Sequence, residues 1–147
     1  MGSFELGTDG PGAILVGVDG SPTSMRAAAY AAGLARRQRT RLIAVWARGA
    51  PTTLITLADH SGLAMDAVLE AQEDLERQLR LEIDGWGADS RLIVRQGDPL
   101  TVLSEVAEET RADAVIVGSS ASLGHRIAGS LAVRLVRHGR WPVTVVP

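Results

Sequence analysis

The feature that most constrains this sequence is a regular alternation between short apolar runs and longer segments with helical periodicity. Runs that are apolar on both faces are typical of strands buried within a parallel sheet. The segments between them supply the helices that connect parallel strands by right-handed crossovers. The sequence therefore predicts a single α/β domain with one open, five-stranded parallel sheet and helices on both faces. The predicted strands are 13–18, 41–46, 91–95, 112–117 and 142–146.

Two of the helices have clear start signals in the sequence. Ser21 and Pro22 follow the first predicted strand, and Asp98 and Pro99 follow the third. A capping oxygen accepts a bond from a free helix N–H, and proline suits the first helical position because it has no N–H to leave unpaired. We expect the first helix to pack on the sheet through its alanines. Its arginines are predicted to face solvent: Arg26, Arg36 and Arg37.

The longest helical segment spans residues 62–82 and is amphipathic. Its charged residues are spaced four apart, which allows ion pairs along a solvent-exposed face, Glu73 with Arg77 and Glu76 with Arg80. The apolar residues repeat at helical spacing and are predicted to face the core. They are Met65, Val68, Leu69, Leu75 and Leu79.

Composition excludes several classes of function. The 147 residues suit one domain, and a formal net charge of −2 does not favour nucleic acid as a partner. The chain has no cysteine, so disulfides and thiolate catalysis are excluded. All fifteen basic residues are arginine, which excludes a Walker-type phosphate loop, a Schiff-base lysine and a kinase-like lysine.

The ends and the hydropathy of the chain indicate a cytoplasmic protein. Residues 1–12 carry no basic residue and no long apolar run, so we expect a flexible tail rather than a secretion signal. No apolar run approaches the roughly 20 residues that span a bilayer. Neither a membrane nor a nucleic acid is an expected partner.

Two segments lie where ligands bind in open parallel sheets, outside the carboxyl ends of the strands. Asp19 follows the first strand, where its carboxylate could accept from a ribose hydroxyl or an adenine amino group; a polar turn explains it equally well. Residues 118–130 form a loop rich in small residues that leads into a helix, whose free N–H groups favour an anion such as phosphate. An ordinary strand-to-helix loop is the alternative.

Four pieces of the sequence together resemble the universal stress protein family, over nearly all of residues 13–147. They are Ile14-Leu15-Val16-Gly17-Val18-Asp19-Gly20-Ser21, Gly97-Asp98-Pro99, Ala114-Val115-Ile116-Val117-Gly118-Ser119, and Gly129-Ser130 with the ending Pro142-Val143-Thr144-Val145-Val146. The resemblance implies one domain over 13–147 with the adenine nucleotide alpha hydrolase-like fold and strand order 3-2-1-4-5. It also implies a homodimer paired through the last strand and a role in stress survival.

The resemblance also implies an adenine-nucleotide site, but the phosphate loop departs from the family pattern. Members that bind ATP carry glycine, two residues, glycine, nine residues, then glycine with serine or threonine. Here Gly118 and the pair Gly129-Ser130 match, Ala121 replaces the second glycine, and seven residues follow it instead of nine. His125 and Arg126 in the shortened loop could replace lost contacts to phosphate. The residues implied to bind the nucleotide are Asp19, Val45, Gly118, Ala121, Gly129, Ser130 and Leu131.

Two functional hypotheses follow. The first is a stress protein that binds ATP or a related adenine nucleotide, with Mg²⁺ only as the partner of that nucleotide. The alternative is a nucleotide-free homodimer that acts through protein partners, which the imperfect glycine motif favours. Slow ATP hydrolysis is a weaker third hypothesis, because no base, metal ligand or lysine is evident and the three histidines are isolated in sequence. We therefore expect that the protein is not an enzyme and that it has no metal site of its own.

Overall fold

A computed structural model describes residues 12–49, 62–87, 89–119 and 130–147. Most of the predicted tail, together with Ala121 and Gly129 of the predicted site, lies outside these residues. The same holds for His125 and Arg126. The predicted boundary of the domain at residue 13 stays a prediction.

Among the described residues, five parallel strands form one sheet in the order β3-β2-β1-β4-β5, and four helices connect them. The predicted fold class and strand order are confirmed. No helix in the described part of the chain is long and apolar enough to cross a membrane. The elements are β1 (Ala13–Gly17), α1 (Pro22–Gln38), β2 (Arg41–Arg48), α2 (Gly62–Asp84), β3 (Ser90–Gln96), α3 (Pro99–Thr110), β4 (Ala114–Gly118), α4 (Ser130–His138) and β5 (Val143–Val146).

Two strand boundaries differ from the prediction by two residues, for local reasons, and five others differ by one residue. Strand β2 continues to Arg48, because its register with β3 extends to the pair Arg48 and Gln96. Strand β4 begins at Ala114, two residues later than predicted. Ala112 instead donates its N–H to Ala107 O at 2.9 Å and so completes the end of α3.

The sheet separates two apolar layers, and alternate residues of β1 point into each. Ile14 and Val16 face α1 and α2, whereas Ala13 and Leu15 face α3 and α4. Helix α1 turns five buried alanines to the sheet, so its backbone lies close to the strands. This close approach determines the geometry at the carboxyl end of β4, described below.

The long helix α2 packs on the sheet through Leu79, which is buried as predicted. Leu69 is 36% exposed, so its predicted place in the core is wrong: the helix turns that residue away from the sheet. Among the predicted ion pairs, Arg80 bonds Glu76 at 2.7 Å. Arg77 pairs with Asp74 rather than with Glu73.

Candidate functional site

A crevice of about 540 Å³ opens at the carboxyl ends of β1 and β4, where the sheet order changes direction. Helix α1 leaves the sheet on one face at this point, and α3 and α4 lie on the other, so the helix starts diverge and leave a gap. Ligands bind at such points in open α/β sheets. The crevice is lined by residues from the ends of β1, β2 and β4 and from the first turns of three helices.

Asp19 lies at the edge of the crevice, one residue after the buried Val18. The N–H of Val18 donates to Val45 O at 2.8 Å, which continues the sheet pairing up to the crevice. Beyond it the chain turns, and Asp19 Oδ1 accepts from the Ser21 N–H at 2.8 Å. The carboxylate is therefore held by the turn while its side chain stays exposed at the end of the strand.

The same turn starts helix α1. Ser21 Oγ accepts from the Ser24 N–H at 3.2 Å, as expected for a capping residue. Ser24 Oγ in turn accepts from the Asp19 N–H at 3.1 Å and donates to Ser21 O at 3.0 Å. Ser24 is only 6% exposed, so its hydroxyl is fixed by bonds within the protein. The helix cap and the position of Asp19 thus depend on one small network.

This network determines the charge of Asp19. Desolvation by the surrounding protein raises the pKa of its carboxyl, but hydrogen bonds from Ser21 and Ser24 outweigh that effect and leave the pKa below its ordinary value. Asp19 is consequently a carboxylate at neutral pH. It can accept hydrogen bonds from a ligand and cannot donate them.

Gly118 ends β4 directly against the first turn of α1. A Cβ at this position would lie 2.6 Å from Thr23 O and 3.0 Å from Ser24 N. Both atoms belong to the backbone, so no side-chain rotation could relieve the contact. The structure therefore requires glycine here because α1 approaches β4 closely, whether or not a ligand is bound.

Apolar side chains form the wall of the crevice. Val45 and Leu103 are almost completely buried below its surface, and Val117 and Leu131 complete the wall from β4 and α4. Among the predicted site residues, Asp19, Val45, Gly118 and Leu131 thus surround one crevice. Ser130 is the first residue of α4, which places it near Leu131. The remaining two, Ala121 and Gly129, lie outside the described residues.

Helix α4 is fixed to the neighbouring α3 by an ion pair. The two Arg134 Nη atoms donate to the two Asp98 oxygens, each at 3.2 Å. Asp98 also caps α3 by accepting from the Thr101 N–H at 3.2 Å. The hydrogen bonds from Arg134 are the main cause that lowers the pKa of Asp98, and the bond from Thr101 adds to it. The cap-and-proline signal after β3 therefore also helps to position the helix that borders the crevice.

Sequence reasoning missed two features of the crevice. Arg26, predicted to face solvent, lines it, as does buried Thr23. Both residues lie in the first two turns of a helix that starts at the carboxyl ends of the strands. This position in the sequence could have indicated that they line the crevice. In the described part of the chain, no group of three histidine or acidic residues could hold a metal ion.

Comparisons with known proteins show the family and the fold of the chain. The family model described as "Universal stress protein family" matches residues 12–147. Universal stress protein MJ0531 from Methanocaldococcus jannaschii is 26% identical over 137 residues, which cover 90% of this chain and 80% of that protein. A solved structure from the universal stress protein family of Burkholderia pseudomallei is 25% identical with a TM-score of 0.69, covering 92% of this chain and 95% of the other.

A further solved structure, titled as a universal stress protein in complex with cAMP, is 27% identical with a TM-score of 0.60. The match covers 92% of this chain and 95% of that one. The strand order 3-2-1-4-5 and the structural neighbours identify the fold as adenine nucleotide alpha hydrolase-like. Since the family model covers almost the whole sequence, this chain belongs to the universal stress protein family.

Proposed function

We propose that this protein binds an adenine nucleotide, of the ATP type, in the crevice between the ends of β1 and β4. The observation that carries the proposal is the Asp19 carboxylate, held by the start of α1 at the edge of an apolar-walled crevice. A fixed acceptor at this place suits a ribose hydroxyl or an adenine amino group. Because the carboxylate is ionised and positioned before a ligand arrives, binding requires little reorganisation.

The size and the lining of the crevice support the proposal. Its volume of about 540 Å³ falls within the range of about 300–1,000 Å³ that is common for small-molecule sites. Val45, Leu103 and Val117 give the crevice an apolar lining, which suits a purine ring. Polar side chains also line the crevice, among them Asp19, Arg26 and Ser119, and hydrogen bonds from such groups can fix the orientation of a ligand.

The family relationship supports the same class of ligand. The 27% identical universal stress protein was solved in complex with cAMP, an adenine nucleotide. In our chain the phosphates would lie toward Ser130 and Leu131, where the start of α4 offers backbone N–H groups. Any Mg²⁺ would arrive with the nucleotide. We propose no catalytic role. We propose that binding serves a stress response, which the family name implies, and that the protein acts in the cytoplasm.

Calorimetric titration with ATP, with and without Mg²⁺, tests this function. Replacing Asp19 by alanine should weaken binding about ten- to a hundred-fold, because a hydrogen bond to a charged group contributes about 1.5–3 kcal/mol. Asp84→Asn removes one negative charge at the far end of α2 and should leave the affinity unchanged. If the wild-type protein gives no heat up to millimolar ATP, the alternative stands: a nucleotide-free dimer that acts through protein partners.

We also propose that the protein forms a homodimer through β5. Val115 donates to Pro142 O and Ser119 donates to Val146 O, so the even-numbered residues of β5 bond β4. The N–H groups of Val143 and Val145 therefore point to the outer edge, where β5 has no neighbouring strand among the described residues. An edge of this kind can pair with a second chain.

Light scattering during size-exclusion chromatography tests the dimer. Val145→Pro removes an outward N–H without breaking a bond to β4, and it should yield monomers. The control Val145→Ala removes more of the side chain than Val145→Pro does but keeps the N–H, and this variant should remain dimeric. A wild-type monomer, or a dimeric proline variant that melts like the wild type, would contradict pairing through β5.

A further inference from the structure

Two charged side chains, Asp19 and Arg26, are among the described residues that line the crevice. Asp19 follows β1, whereas Arg26 lies in the second turn of α1 and reaches the last residue of the described chain beyond β5. The crevice therefore has a carboxylate and a guanidinium at separate places on its lining. A ligand with hydroxyl or amino donors at one end and a negative charge at the other would bind in one orientation only.

The guanidinium of Arg26 is anchored through one of its nitrogens. Its Nε donates to the main-chain oxygen of Pro147 at 3.2 Å. Arginine carries five N–H donors, so the two Nη atoms retain four of them. Within the part of the chain that the structure describes, those two atoms have no hydrogen-bond partner, and the side chain is exposed.

Other arginines near the strand ends are used differently. Arg48 donates to Gln72 at 2.6 Å, and Arg134 forms its two bonds with Asp98. Arg95 binds both oxygens of Glu109. Their charges are neutralised by acidic side chains or directed to an amide. Among the described residues Arg26 bonds no acidic side chain, and both of its Nη atoms remain available to a ligand.

We propose that Arg26 is a specificity-determining residue that binds the anionic end of the ligand in this crevice. A guanidinium fork matches two phosphate oxygens and stays charged at any physiological pH. Its anchored Nε limits the rotation of the fork, which reduces the entropy lost on binding. This role rests on the proposed nucleotide site. It also gives the chain a side-chain cation for phosphate, in a sequence with no lysine and with Ala121 where the phosphate loop of ATP-binding relatives has glycine.

According to this proposal, the phosphates of a nucleotide contribute to its affinity through the side chain of Arg26. Arg26→Gln should weaken the binding of ATP and AMP about ten-fold or more, while the binding of adenosine changes less than two-fold. Arg37→Gln is the matched control: it makes the same change on the same helix, away from the crevice, and should leave all three affinities unchanged. Circular dichroism melting curves of both variants should match the wild type.

Calorimetric titration of the full-length protein with ATP, AMP and adenosine measures these effects at fixed ionic strength. If wild-type protein binds ATP and Arg26→Gln binds it equally well, the role of Arg26 is wrong and nucleotide binding stands. A parallel loss of adenosine binding in Arg26→Gln would also overturn it, because Arg26 would then support the whole crevice. If the wild-type protein binds none of the three, the proposed function itself fails.

Discussion

Replacement of Gly118 by alanine tests whether the glycine at the end of β4 is required by the fold itself. The added Cβ would lie 2.6 Å from Thr23 O and 2.7 Å from Thr23 C, whereas an ordinary contact needs well over 3 Å. The opposing atoms are backbone in the first turn of α1. That turn would have to move by most of an ångström, and the network from Ser21 to Ser24 would move with it.

Overpacking of this kind costs about 1–3 kcal/mol. Alanine also restricts the unfolded chain, which offsets the cost by about 0.4–1 kcal/mol where its conformation is allowed. We therefore expect Gly118→Ala to lower the free energy of unfolding by about 1–2 kcal/mol. For a domain of this size that corresponds to a melting temperature lower by roughly 3–8 °C.

Gly17 supplies the matched control. It ends β1, the strand next to β4, and also lines the crevice, but a Cβ there would first meet a side-chain atom, Leu103 Cδ1, at an ordinary contact distance of 3.4 Å. Gly17→Ala should change stability by less than about 0.5 kcal/mol. Urea unfolding followed by circular dichroism, without ligand, measures both variants. Equal stability of Gly118→Ala and Gly17→Ala would refute the steric argument and leave a ligand as the reason for glycine at 118.

Three further predictions concern the helices. Ser21→Ala removes the cap of α1 and should cost about 1 kcal/mol in urea unfolding; an unchanged midpoint would show that the cap contributes nothing. Leu79→Ala should cost roughly 2–5 kcal/mol because the side chain is 2% exposed, whereas Leu81→Ala, at a position 76% exposed, should cost less than about 0.5 kcal/mol. The ion pair with Arg134 lowers the folded-state pKa of Asp98, so its stabilisation is present at neutral pH and is lost as the pH falls through that lowered pKa. Arg134→Gln should therefore be less stable than wild type at pH 7, and the difference should shrink from about pH 4 downward; a difference in stability that stays constant as the pH falls below 4 would contradict this.

Local signals in the sequence predicted the elements well because each signal acts over a few residues. Ser21 and Asp98 cap helices as expected, since a cap requires only its own N–H partners three residues later. The alternation of strands and helices predicted a parallel sheet. It did not determine the order of the strands, which came from the resemblance to the family.

Features that depend on contacts between distant parts of the chain could not be predicted from the sequence. The exposure of Leu69 depends on how α2 is rotated against the sheet, and periodicity fixes the helix face only approximately. Arg26 lines the crevice because α1 starts beside β4, a strand that comes about ninety residues later in the chain. The ion pair between Asp98 and Arg134 joins residues 36 positions apart, and no local sequence pattern predicts it.

The start of α1 carries residues that serve the fold and also line the proposed site. Ser21 caps the helix by accepting from the Ser24 N–H, and its own N–H holds the Asp19 carboxylate, while Gly118 lets that helix approach β4. A sequence motif that contains these residues would persist in a chain that binds no nucleotide, because stability alone requires it. Arg26 differs, since its bond to Pro147 supports no cap and no buried contact. Evidence that Arg26 binds phosphate would therefore be a stronger indication of function than the match of Asp19 or Gly118 to the family pattern.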